Sequence, residues 1–303
     1  MVASIRPAYS TPFNDSRLVT LAKLDPMDAI TPDWAWGDSR GAGIRVAVVD
    51  SGVDATHPDV GSVQGYLSIT EDDNGELVTD EEPHGDSNGH GTACAGIIRS
   101  FAPDCEIYSV RVLGAGLRGT GKAFAAGLRW AVENDIKVCN LSLGTRSREY
   151  YGPFHELADR AYFKNIVLVT AASNTPAISY PSLYSSVISV ASHSIPDKYT
   201  FYYNPDPPVE FGAHGIDVRI AWRNHKHVTI TGNSFAAPHI TGLVTKILGK
   251  HPDLTVFQVK TILRELATNV DRAKVGESPY LLGSRQGDDP GEDSDSLTTA
   301  AET

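Results

Sequence analysis

Val46-Ala47-Val48-Val49-Asp50-Ser51-Gly52 decides the fold. Residues 44–49 are almost continuously apolar, as a parallel strand buried on both faces requires, and the run stops on a carboxylate and two turn formers. Two further stretches also place a reactive side chain at an element boundary. They are Gly89-His90-Gly91-Thr92 and Gly232-Asn233-Ser234-Phe235-Ala236-Ala237-Pro238. A hydroxyl becomes a useful nucleophile only when a base takes its proton and a third group orients that base. In chain order the three stretches supply an Asp, a His and a Ser, the residue types for those roles.

Outward from this strand, apolar strands alternate with amphipathic helices. A helix is predicted from His90 to about residue 99, and a strand over 106–113. Phe124, Leu128, Ala131 and Val132 share a helical face, and strands are predicted over 137–143, 166–172 and 187–191. A helix over 153–164 intervenes. Ser234 opens a long apolar helix with Ile240, Leu243, Val244 and Ile247 on one side. Thr255 caps another, with Val259, Ile262, Leu263 and Leu266 at helical spacing. This order predicts an α/β fold, a mostly parallel central sheet with helices on both faces. Sites in such sheets form beyond the carboxyl ends of the strands, where Asp50 and the segment after Leu143 lie. The segment between Asp50 and His90 reads as a long, polar, acidic loop. Residues 1–40 read as an irregular arm packing on the body through Trp34 and Trp36. Residues 41–283 form the main domain, and 284–303 an acidic, disordered tail.

The net charge is −11, but the tail sets six acids against Arg285 alone, a net −5 that leaves about −6 for the rest. Phosphate binding needs a basic face, so nucleic acid is not an expected partner. The overall charge weakly favours cationic peptides. No glycine-rich phosphate loop follows the first strand, which argues against a nucleotide-binding protein. No apolar run reaches the roughly 18 residues of a membrane span, and the N-terminus shows no secretory signal. A cytoplasmic location is expected, with a mature fragment of a secreted protein as the other reading. Cys94, Cys105 and Cys139 are an odd set in apolar settings and read as buried thiols, with a Cys94–Cys105 bridge as the lesser option. None of the histidines is paired by spacing with another ligand, so neither metal nor cofactor is expected.

From about Gly41 to Ala267 the sequence resembles the subtilisin-like serine peptidases. The three blocks carry that resemblance together with Tyr108-Ser109-Val110-Arg111-Val112-Leu113, Asn140-Leu141-Ser142-Leu143-Gly144, Ala171-Ala172-Ser173-Asn174, Tyr180-Pro181-Ser182 and His251-Pro252. The resemblance implies a subtilisin-like fold and a serine endopeptidase acting through an acyl-enzyme. Ser234 is the implied nucleophile, His90 the general base and then acid, and Asp50 the group that orients the imidazole. Asp50 is preferred over Asp54 and Asp59 because it ends the apolar strand. Asn174 is the implied side-chain donor to the oxyanion, beside the N–H of Ser234. An extended peptide is expected between Ser142, Leu143 and Gly144 on one side and Leu113 and Gly114 on the other. Ala171, Ala172 and Ser173 complete the wall of the S1 pocket, which takes the P1 side chain on the acyl side of the scissile bond.

Three departures from the family pattern matter. Ser173 stands where the family usually has Gly, which raises a question about the backbone there. Residues 96–104 leave no room for the calcium-binding loop that secreted relatives commonly carry, so that site is expected to be absent. The segment from Asn174 to Tyr180 is short, so the S1 pocket is expected to be differently walled. The same triad would also serve a transpeptidase or macrocyclase, and the same cleft a catalytically dead peptide-binding module. Competent residues at every catalytic position favour the peptidase. The natural substrate and oligomeric state are not legible in these residues.

Overall fold

A computed structural model describes residues 30–270. The expectations for residues 1–29 and for the acidic tail lie outside the described residues. Helix α1 (Pro32–Ala35) is capped by the Thr31 hydroxyl, which accepts the Trp34 N–H at 3.1 Å. Trp36 is buried, and Trp34 stacks on His251 with ring centroids 4.5 Å apart. Strand β1 (Arg45–Asp50) then enters the core. It is followed by β2 (Gly65–Glu71), β3 (Leu77–Asp80), α2 (His90–Phe101), β4 (Glu106–Arg111), α3 (Gly121–Glu133) and β5 (Val138–Leu141). Next come α4 (Tyr151–Phe163), β6 (Val167–Ala171), β7 (Ile188–His193), β8 (Tyr202–Tyr203) and β9 (Phe211–His214). The hairpin of β10 (Val218–Trp222) and β11 (Lys226–Ile230) precedes α5 (Asn233–Lys250) and α6 (Val256–Leu266).

The predicted sheet is present, with nine strands in the order β3-β2-β4-β1-β5-β6-β7-β9-β8. Neighbours from β2 to β9 run parallel, while β3 and β8 pair antiparallel at the edges. Strand β1 sits centrally and has apolar residues on both faces. Val46 and Val48 pack with α2 and α5; Ala47 and Val49 pack with α3 and α4. All four are fully buried, which explains the unbroken apolar run. Because β4 lies on one side of β1 and β5 on the other, the chain reverses direction across the sheet there, and a crevice opens beyond the strand ends. Asp50 stands at that crevice. Helix α6 begins at a capping box, in which Gln258 N–H and the Thr255 hydroxyl, and Gln258 Oε1 and the Thr255 N–H, bond reciprocally.

Strands β8 and β9, at one end of the sheet, are absent from the sequence-based expectation, and two further corrections apply. The acidic loop between Asp50 and His90 contains the β2–β3 edge hairpin, with Ile69 opposite Thr79. Hairpin β10–β11 was also not anticipated. Strand β11 sets partly buried Val228 and Ile230 beside exposed Lys226, His227 and Thr229, too polar a pattern for a buried strand, while β10 is a run of only five residues. All three cysteines are buried and unpaired, so Cys94 and Cys105 are not bridged. Among the described residues no helix is long and apolar enough to cross a membrane.

Only residues 102–105 join α2 to β4. Arg99, in the last turn of α2, spans this corner. Its Nε donates to the Val60 carbonyl at 2.9 Å and its Nη2 to Ser62 at 2.7 Å. Nη1 donates to the carbonyl of Pro103 at 2.8 Å and to that of Cys105. Four carbonyl oxygens therefore converge on one planar, permanently charged group whose donors fan out to meet them.

Candidate active site

Asp50 is fully buried at the end of β1, and His90 opens α2 beside it. The His90 Nδ1 lies 2.8 Å from Asp50 Oδ1 and 2.9 Å from Oδ2, so the ring donates to the carboxylate from this nitrogen. Gly91 makes the approach possible. A Cβ there would stand 2.0 Å from the Gly52 carbonyl oxygen and 3.1 Å from Asp50 Cβ. Asp86, absent from the sequence-based site, secures the start of α2. Its Oδ1 accepts the N–H groups of Asn88 and Gly89 and the Ser51 hydroxyl, and its Oδ2 accepts the Thr92 N–H and hydroxyl. The rivals of Asp50 are engaged elsewhere: Asp54 with Thr56, and Asp59 with His227. Burial disfavours the charged imidazole of His90, but the Asp50 carboxylate and, after it, the neighbouring Cys94 together outweigh this and hold the ring well above its usual pKa.

Ser234 lies in the first turn of α5, where the leading N–H groups have no partner within the helix. Pro238, four residues later, has no N–H to return to the Ser234 carbonyl. That carbonyl instead accepts the Ser142 hydroxyl at 2.8 Å. Ser142 Oγ in turn accepts from Asn140 Nδ2 at 2.9 Å, and Asn140 Oδ1 accepts the Thr241 hydroxyl at 3.0 Å. The thiol of Cys94 lies against the same group, 3.4 Å from Ser142 Oγ and 3.6 Å from the Ser234 carbonyl. A buried polar chain thus fixes the backbone of Ser234 to the segment after β5. Ser234 and His90 line one cavity, and the Phe235 ring packs on His90 with centroids 5.2 Å apart. Among the described hydrogen bonds none joins the Ser234 hydroxyl to the His90 ring.

Asn174 lies beyond the end of β6 and lines this cavity. Its Oδ1 accepts the Asn233 N–H at 2.8 Å, which leaves the Nδ2 donors for other partners. Asn233 itself escaped the sequence reading. Its Oδ1 accepts the Ser192 N–H at 2.9 Å, and its Nδ2 donates to the Ala172 and Ser173 carbonyls at 3.3 and 3.0 Å. One side chain therefore joins the ends of β6 and β7 to the start of α5. The Gly-Asn-Ser order was the only available signal. Ser173 is not among the residues with positive φ, so the serine fits without strain.

The cavity measures about 780 Å³. Of the expected substrate-binding residues, Leu113, Ser142, Leu143, Gly144, Ala171, Ala172 and Ser173 line it. Gly114 instead lines an adjoining groove of about 390 Å³. Trp222 of β10 adds a wall, its ring so close that a Cβ on Gly89 would approach within 2.7 Å. Among the described residues, the charged side chains on the lining besides His90 are Arg118 and Arg146, with no carboxylate. The overall negative charge of the chain therefore does not extend to the cavity, and its weak preference for cationic peptides does not describe this surface.

A second polar cluster lies against the β10–β11 hairpin. His57, Asp59 and His227 bring ligand-type atoms within 4.8 Å of one another. Both ring nitrogens of His57 are already engaged, Nδ1 with the Asp59 N–H at 3.1 Å and Nε2 with the Lys226 carbonyl at 3.2 Å. With the 2.6 Å His227–Asp59 pair, they clamp the hairpin onto the loop after β1.

The profile of the subtilase family matches residues 41–284. Subtilisin DY of Bacillus licheniformis is 31% identical over 246 residues, covering 76% of this chain and 86% of that protein. Subtilisin BL of Lederbergia lenta is 31% identical over 258 residues, covering 78% and 91%. In fold, the chain is similar to a crystal structure of a cold-adapted subtilisin-like serine proteinase. The TM-score is 0.59 at 24% identity, covering 75% of this chain and 83% of that one.

Proposed function

Since this chain belongs to the subtilase family and is a subtilisin-like serine endopeptidase, we propose that Ser234 is its nucleophile, His90 its general base and Asp50 the group that orients His90. The observation that carries this assignment is the double contact of a fully buried carboxylate with His90 Nδ1, which leaves the other ring nitrogen to serve the cavity it shares with Ser234. Substrate binding closes Nε2 onto the Ser234 hydroxyl, a contact that often tightens only in the loaded enzyme. Oγ bonds to the scissile carbonyl carbon as its proton passes to Nε2. The tetrahedral intermediate then collapses, and the leaving amine departs with that proton. Water, deprotonated by His90, attacks the acyl carbon; the bond to Oγ breaks, the acid leaves and His90 returns the proton to Ser234.

The oxyanion forms between Asn174 Nδ2 and the Ser234 N–H. Pinning of Asn174 Oδ1 by Asn233 supports this, because it fixes which end of the amide is free. The extended substrate lies between the segment of Ser142, Leu143 and Gly144 and that of Leu113, gaining main-chain hydrogen bonds that are indifferent to side-chain identity. Three unpaired cysteines fit a reducing compartment and the cytoplasmic reading.

The test is digestion of a diverse peptide library, read by mass spectrometry. Wild type yields linear cleavage products and labels with an active-site fluorophosphonate. Ser234→Ala keeps the fold and does neither. Undiminished cleavage by that variant overturns the assignment.

A further inference from the structure

The geometry points to peptides with an acidic P1 side chain as preferred substrates, selected by Arg146. This rests on the peptidase reading above, and deepens it.

Arg146 follows the pocket segment Ser142, Leu143, Gly144 and Thr145, all of which line the cavity with it. Its backbone is held in place. Thr145 and Tyr180 exchange both hydrogen bonds of an antiparallel bridge, at 3.0 and 2.8 Å. From there the guanidinium reaches the opposite wall, where its Nη2 donates to Ser173 Oγ at 3.4 Å and to Thr175 Oγ1. Ser173 and Thr175 flank Asn174 on either side. The arginine fork therefore stands beside the oxyanion donor, in the wall that meets the P1 side chain.

The chemistry of this wall is unbalanced. Both hydroxyl partners of Arg146 are neutral, and among the described residues no carboxylate pairs with it. Among the described residues, partners engage only one of its three nitrogens, which leaves donors for a two-pronged approach by a carboxylate. Arg118 lines the same cavity and adds charge of the same sign. An apolar P1 side chain would leave the guanidinium without a charged partner, and a basic one would meet repulsion. A Glu or Asp side chain neutralises it and accepts its hydrogen bonds. The negative charge of the whole chain opposes acidic peptides at long range, so the selection is made by contact and depends on this residue.

The experiment uses the full chain and a set of peptide amides differing only at P1: Glu, Gln, Leu and Lys. In wild type, kcat/KM for Glu exceeds that for Gln at least tenfold. Glu and Gln have nearly the same shape, so the ratio isolates charge. Arg146→Gln brings the ratio near one, Arg146→Lys keeps part of it, and Arg146→Glu favours Lys at P1. Equal fluorophosphonate labelling of all variants shows that the reacting groups are intact. A wild-type Glu-to-Gln ratio at or below one, or a ratio unchanged in Arg146→Gln, overturns the proposal. If wild type neither labels nor cleaves any member of the set, it is the peptidase reading that falls.

Discussion

Pro238 frees the carbonyl of Ser234. The missing N–H opens the first turn of α5 at one point, and the Ser142 hydroxyl closes it at 2.8 Å. The residue proposed to attack the substrate is thus tied to the segment proposed to bind it. In Ser142→Ala the carbonyl is left buried without its hydroxyl partner, which costs about 1–3 kcal/mol of stability and also lowers kcat. Adding Pro238→Ala supplies an N–H and recovers part of the stability. Urea denaturation and initial rates of the single and double variants check both effects.

Asn174 and Asn233 separate by readout. Asn174→Ala removes the proposed oxyanion donor, so kcat falls roughly 100- to 1,000-fold, the loss seen when a subtilisin loses such a donor, while KM changes little. Asn233→Ala keeps the backbone N–H that holds Asn174 but removes the side chain that ties the ends of β6 and β7 to the start of α5, so the whole segment loosens. It lowers kcat and melting temperature together. Steady-state kinetics beside thermal denaturation distinguish the two.

Burial works against a charged His90 ring, yet Asp50, with Cys94 beside it, holds the ring well above its usual range. As base, the ring must be neutral, so kcat/KM rises with pH along a limb whose midpoint lies above 6.5. Stability runs the other way. A pKa raised in the folded state favours folding below the unfolded value, and that contribution disappears as pH rises through the folded value. The stability gap between wild type and His90→Gln is therefore wider at pH 6 than at pH 9. Rate–pH profiles and urea denaturation at the two pH values test the two halves.

The sequence made the parallel sheet legible because β1 is buried on both faces and its apolar run is unbroken. It made Asp50, His90 and Ser234 legible because each sits where an element starts or stops. Asn233, Asp86 and Trp222 were not, because their roles depend on partners brought near only by the fold. Asn233 bonds to Ser192, 41 positions away. Strands β3 and β11 were missed because they carry Thr, Lys, His or Asp toward solvent, which obscures the apolar signal. Strands β8, β9 and β10 are only two to five residues long, too short to show a period of their own.

Arg99→Ala removes a cation from four backbone carbonyls in one step. We expect a loss of about 2–3 kcal/mol, since hydrogen bonds from a charged donor are stronger than neutral ones. EDTA should leave the wild-type melting temperature unchanged. Differential scanning calorimetry of both proteins, with and without the chelator, checks this.

A positive charge bonded into the chain has no dissociation equilibrium. It cannot be diluted away, sequestered, or exchanged for a competing ion. The reinforcement that Arg99 gives the corner between α2 and β4 therefore needs no supply from the surroundings, and synthesis of the polypeptide delivers it at one per molecule.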